Sequence, residues 1–131
     1  MIVVDSSYAL ACVMPDEPRP KSMQAVLANP LVVPFTWPVE IANALRSAIR
    51  RKRLDTLDAR LFAEQFSRFD ARVVAPWHSD ALRYFDVASA HDLTPYDALY
   101  VELCLAERGA LATCDLQLSR AAARVGIPVH S

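Results

Sequence analysis

Glycine is nearly missing from this chain, with two residues in 131, Gly109 and Gly126. Loops that cradle phosphates with bare backbone depend on glycine. Neither Gly-x-x-x-x-Gly-Lys nor Gly-x-Gly-x-x-Gly occurs, which excludes the common nucleotide-binding sites. Cysteine is scarce and odd in number. Cys12, Cys104 and Cys114 lie in apolar stretches and read as small core residues of a reducing compartment, not as a disulfide or zinc framework. Neither charge sign is in excess. A formal net charge of −1 rules out a bulk polycation and confines any nucleic-acid contact to a local patch. Long apolar runs are also lacking. Asp5 ends the opening run after four residues, so no signal peptide is expected. Pro30, Pro34 and Pro38 interrupt the uncharged stretch Ser22–Val39, so no membrane span is expected and a soluble, cytoplasmic protein is.

What is present is the composition of a globular protein, 53% apolar and 22% charged. The length fits a single domain over residues 1–131, enough to bury about two-thirds of the surface of its unfolded chain. Ile2–Val4 is a short β-branched run, expected as a buried strand, and Asp5-Ser6-Ser7 can cap a helix through Tyr8–Val13 that Pro15 closes. Lys21–Ala28 reads as helix and Leu31–Val33 as a second strand. Thr36 and Pro38 open a long helix to about Arg53, with Ile41, Ala42, Leu45, Ala48 and Ile49 as its apolar stripe. Asp55 caps a further helix carrying Leu61, Phe62, Phe66 and Phe69. Val73–Ala75 is a weak strand, and Asp80–Ala90 a helix expected to turn Leu82, Phe85 and Ala88–Ser89 inward.

The stretch Leu93–Asp115 is the most informative. Thr94 is an N-cap type, Pro95 suits the first helical position, and Ala98, Val101, Cys104 and Leu105 recur at helical spacing. Gly109 is expected to stop that helix in the usual C′ position, before a strand over Ala110–Thr113. A helix over Leu116–Val125, stopped by Gly126, and a strand over Ile127–Val129 complete the chain. This alternation predicts an α/β fold with a mostly parallel central sheet.

Four acids fall at element junctions: Asp5, Glu40, Asp97 and Asp115. Taken singly, each has a purely structural reading as a helix cap or a partner of a helix dipole. Jointly they have another, because right-handed crossovers bring these junctions to one edge of the sheet. Packed carboxylates repel by roughly 4 kcal/mol per close pair at an effective dielectric of about 20. They stay ionised together only beside a cation, and hard oxygen ligands suit Mg²⁺, with Mn²⁺ as a substitute. His78, His91 and His130 show no metal-ligand spacing, and Ser6 and Ser7 lack a nucleophile elbow. A receiver-type or haloacid-dehalogenase-type site would need a second acid beside Asp5, which is absent.

The segments Ile-Val-Val-Asp5-Ser-Ser, Pro-Val-Glu40-Ile-Ala-Asn-Ala-Leu, Leu-Thr-Pro-Tyr-Asp97-Ala-Leu-Tyr-Val-Glu-Leu and Leu-Ala-Thr113-Cys-Asp115 resemble, in order and spacing, those of PIN-domain proteins. More narrowly, the chain resembles the VapC toxins of bacterial toxin–antitoxin pairs. The resemblance implies a three-layer α/β/α fold and a Mg²⁺-dependent ribonuclease whose acidic quartet is Asp5, Glu40, Asp97 and Asp115. It also implies a cognate antitoxin partner and a homodimer. On this reading Asp5 and Asp97 hold the metal, Glu40 and Asp115 act through bound waters, and Ser6 and Thr113 orient a carboxylate or such a water. Arg46, Arg50 and Arg53, in the one concentrated basic run, are candidates for RNA phosphate contacts or equally a solvated helix face. Trp37 and Tyr96 are either stacking platforms for bases or core aromatics. Readings from other classes are a PIN-like interaction module without catalysis, and a DNA nuclease or phosphatase using the same pocket.

Overall fold

The computed structural model describes residues 1–131. Five short strands, β1 (Ile2–Val4), β2 (Leu31–Pro34), β3 (Ala71–Val74), β4 (Ala110–Ala112) and β5 (Val129–His130), form one sheet of order β3-β2-β1-β4-β5. Every neighbouring pair is parallel. Helices α1 (Ser6–Val13), α2 (Met23–Leu27), α3 (Trp37–Arg50), α4 (Thr56–Ser67), α5 (Ala81–His91), α6 (Pro95–Glu107) and α7 (Leu116–Arg124) make the crossovers. The element order is the one expected from the sequence. Helix α3 packs on α1 and α4, while α6 packs on α5 and α7, so helices cover both faces of the sheet. No helix is long and apolar enough to cross a membrane.

The central strands read as continuous apolar runs because both of their faces are covered. Val3, Val4, Val32, Val33, Leu111 and Ala112 are fully buried. From α6 they receive Tyr100, Val101, Leu103 and Cys104, and from α3 Ile41, Leu45 and Ala48. The chain leaves β1 toward β2 on one side and meets β4 on the other. The crevice beyond the carboxyl ends of β1 and β4 is therefore the switch point of the sheet.

Several local expectations are corrected. Leu82 and Phe85 of α5 face outward, 66% and 65% exposed, because Ala88 alone of this helix reaches the core. In α6, Leu105 is 44% exposed although it continues the apolar pattern. Helix α3 ends at Arg50, so Arg53 lies in the connection to α4. Cys114 is exposed on the turn after β4, not in the core. Gly109 follows helix α6 at C′ as expected, and the left-handed conformation falls one residue earlier, on Arg108 (φ 52°). Gly109 is required for a different reason, since a Cβ there would meet the Met1 carbonyl oxygen at 2.7 Å.

Candidate metal-dependent active site

Each of the four acids owes its position to the start of a helix. Asp5 leaves β1 extended and caps α1, its Oδ1 accepting the Tyr8 N–H at 2.8 Å. Asp115 does the same for α7, accepting the Leu118 N–H at 2.9 Å. Glu40 sits in the first turn of α3 and Asp97 in that of α6, where Thr94 supplies the cap. In a parallel α/β fold these helix starts lie at the carboxyl edge of the sheet, so a capping sequence and a carboxylate cluster are two views of one arrangement. The capping reading holds for Asp5 and Asp115, and capping leaves Oδ2 of Asp115 without a protein donor.

Asp5 is the buried member, 3% exposed, and the most elaborately held. Thr113 Oγ1 donates to its Oδ2 at 2.6 Å, and the Ser7 hydroxyl stands 2.8 and 2.9 Å from its two oxygens. The same Thr113 oxygen accepts the Asp115 N–H at 3.0 Å, and Ser7 Oγ accepts the Cys114 N–H at 3.0 Å. Two hydroxyls thus lock the end of β1 to the turn after β4. Thr113 was expected in such a role, whereas Ser7, not Ser6, is the serine bonded to Asp5. Ser6 bears instead on Glu40 and Tyr100, as one of the hydrogen-bonding neighbours that oppose the burial-driven rise of both. Glu40 is anchored by the Tyr100 hydroxyl, which donates to Oε2 at 2.6 Å. Tyr100 is a partner the sequence reading missed. Its position three residues after Asp97, on the same face of α6, was the available signal.

Burial dominates the electrostatics. It lifts the Asp5 carboxyl from the usual 3.8 to about 6, against the lowering hydrogen bonds from Thr113, Tyr8 and Ser7, with the charge of Asp115 adding to the rise. Burial also raises Asp97, again with Asp115 adding, and raises Glu40, with Asp97 adding. The four carboxyls therefore sense one another in a chain. No basic side chain is paired with any of them; the ion pairs join Arg53 to Asp16 and Glu17, Arg72 to Glu107 and His91 to Glu102. That donor set, hard oxygens in a partly desolvated cluster without a countercharge, fits a divalent cation. No three such side chains are closed into a ready-made cage, so the fit lies in the chemistry of the donors.

The remaining candidates separate. Arg46 and Arg50 are exposed on α3, with Arg50 at the far end of the helix from Glu40. Arg53 is committed to Asp16 at 2.7 Å. Trp37 is 5% exposed, packed on Phe66 and Phe69, with its indole N–H buried and unpartnered, so it belongs to the core. Tyr96 is 60% exposed.

The PIN domain family model matches residues 2–124. Ribonuclease VapC9 of Mycobacterium tuberculosis is 35% identical over 127 residues, covering 91% of this chain and 89% of its own length. Ribonuclease VapC3 of Pyrobaculum aerophilum is 32% identical over 120 residues, covering 90% and 92%. Among solved structures, that of PAE2754 from Pyrobaculum aerophilum is similar with a TM-score of 0.71 at 22% identity, covering 98% of this chain and 81% of that one. That of FitAcB from Neisseria gonorrhoeae is similar with a TM-score of 0.64 at 12% identity, covering 100% and 97%. These two structural likenesses speak to the fold alone.

Proposed function

The chain belongs to the PIN domain family, and from that membership we propose a VapC-type ribonuclease, the toxin of a toxin–antitoxin pair, which hydrolyses RNA phosphodiesters with Asp5, Glu40, Asp97 and Asp115 and a bound Mg²⁺. Relatives named as ribonucleases, aligned over nearly the whole chain, support the nuclease activity. The observation that carries the chemistry is the cluster of carboxyls with no basic partner, three of them raised by burial and by a neighbouring carboxylate. Asp5 and Asp97 would hold the cation, with Glu40 and Asp115 meeting its waters. When bound, Mg²⁺ supplies a water of lowered pKa and offsets charge on the phosphate and the leaving oxygen.

The chain's own residues prepare that site. Thr113 and Ser7 fix the Asp5 carboxylate so that it loses little freedom when it binds. Tyr100 fixes Glu40 in the same way. Asp97 is held through Thr94, which accepts its backbone N–H at 3.2 Å and opposes the rise of its carboxyl. The VapC kinship supports a cognate antitoxin and a homodimer as partners.

The test is cleavage of a tRNA and rRNA mixture by antitoxin-free protein with Mg²⁺, with Mn²⁺ and with EDTA, beside Asp97→Asn. Asparagine keeps the size of the side chain and removes its charge. Discrete, metal-dependent cuts are expected. Their loss in Asp97→Asn should exceed the roughly 10- to 100-fold that outer partners of a metal site cost. Equal cutting by both proteins would remove Asp97 from the site, and metal-independent cutting would remove the cation.

A further inference from the structure

Tyr96 immediately precedes Asp97 in the first turn of α6 and leaves its ring in solvent. It lines two adjoining grooves, of about 530 Å³ and about 470 Å³, and Phe35 and Thr36 line both with it. The larger groove also includes Glu40 and the exposed amide of Asn43 in its wall. It is therefore continuous with the acidic cluster. Phe35 packs beside Tyr84, which lines the smaller groove with it. Its ring lies 6.5 Å from that of Tyr84, whose hydroxyl donates to the His78 carbonyl at 2.8 Å.

We propose that Tyr96, together with Phe35 and Asn43, forms a pocket for one unstacked nucleobase of the RNA, beside the phosphate being cut. This rests on the ribonuclease reading and goes beyond it by naming where substrate other than the phosphate is held. The groove wall selects the occupant. Its only charged member is Glu40, which repels a phosphate that lacks a cation, whereas a base is neutral, flat and apolar on both faces. Two aromatic rings offer it surfaces, and an amide offers its edge both a donor and an acceptor. Because Phe35 is already packed beside Tyr84, little ordering is required when the base enters. Stacking accepts any base, so Tyr96 supplies affinity, and Asn43 biases which base is preferred.

The measurement is steady-state cleavage, with Mg²⁺, of a short single-stranded RNA spanning a cut site mapped on tRNA or rRNA. An abasic nucleotide is placed at each position flanking the cut in turn. Tyr96→Ala is expected to lower kcat/KM by roughly ten- to a hundredfold, mainly through KM, and Tyr96→Phe and Tyr96→Trp to restore it. One abasic position should cost the wild-type chain the same factor and cost Tyr96→Ala nothing further. Asn43→Ala should change the base preferred at that position. Melting curves of the variants should match the wild type, because Tyr96 and Asn43 are exposed. The pocket is overturned by a Tyr96→Ala chain that cleaves like the wild type, or by penalties that simply multiply. A loss indifferent to abasic RNA but accompanied by a changed sedimenting mass also overturns it, and assigns the face, with the exposed Leu82 and Phe85, to a second copy of the chain. A wild-type chain that cuts no RNA removes the ribonuclease reading and this pocket with it. Cutting unaffected by Tyr96→Ala removes the pocket alone.

Discussion

The Tyr100 hydroxyl and the Glu40 carboxylate, 60 residues apart in sequence, meet at 2.6 Å and join the start of α6 to the start of α3. Tyr100 is buried, and its own ionisation is pushed far up by burial and then by the Glu40 charge, so it remains a donor at every working pH. The Glu40 carboxyl is raised by desolvation, and this phenol is the first of the hydrogen bonds that oppose the rise. Tyr100→Phe keeps the ring and removes the donor. The Glu40 pKa is then expected to climb further, so the acid limb of the pH–rate profile for RNA cleavage moves to higher pH. Stability should fall by about 1.5–3 kcal/mol, the usual worth of a hydrogen bond to a charged group whose partner is left unsatisfied. A profile that keeps its shape and position would show that Glu40 does not act in its ionised form.

The Asp5 carboxyl sets a second expectation, about pH and metal together. Its folded pKa of about 6 lies above the 3.8 of the unfolded chain, so the folded state holds this proton more tightly. The contribution to stability is complete below the unfolded value and is lost as pH rises through the folded one. Near neutrality the ionised, desolvated carboxylate therefore costs about 3 kcal/mol unless a cation sits beside it. Mg²⁺ binds the folded state and competes with the proton. Its stabilisation should be several degrees in melting temperature near pH 7.5 and should shrink toward about pH 5. Thermal melts of the full chain across that range, with EDTA or with Mg²⁺, check this. A shift independent of pH would place the ion away from Asp5.

How much of this was legible in the sequence depends on the range of the interaction. Helix starts are local, so Asp5, Asp55, Thr94 and Asp115 all stand where their capping chemistry predicts. Strand alternation with helices likewise gave the parallel sheet. Partnerships across the fold were harder to see. Ser7 and Ser6 are equivalent by composition, and only the α1 geometry turns Ser7 onto Asp5 and toward the turn after β4. Helix periodicity also marks which residues share a face without saying whether that face is covered. Phe85 and Leu82 fit the apolar stripe of α5 and are nonetheless exposed. Arg53 belonged to a basic run in sequence and is spent on Asp16 in space.

The two glycines provide a test of the scaffold that is independent of RNA. Gly126 has φ 80° with open space around the position a Cβ would occupy, so its requirement is conformational. Gly126→Ala should cost about 1–2 kcal/mol, and Gly126→Asn should recover part of that, because asparagine tolerates the left-handed region. At Gly109 the backbone angle is ordinary, and the obstacle is the Met1 carbonyl oxygen at 2.7 Å from an added Cβ. That oxygen belongs to the backbone, so the strain must be relieved by moving the start of β1 against β4, whose Ala110 N–H donates to it at 3.3 Å. Gly109→Ala is expected to cost about 1–3 kcal/mol, as overpacking does, and Gly109→Asn more, since a longer side chain adds bulk without removing the clash. The registers of β1 and β4 also set the spacing of Asp5 and Asp115. Gly109→Ala should therefore reduce the Mg²⁺-induced rise in melting temperature, whereas Gly126→Ala should leave it unchanged. Equal Mg²⁺ responses in the two variants would mean that the carboxylate cluster does not depend on that strand pairing.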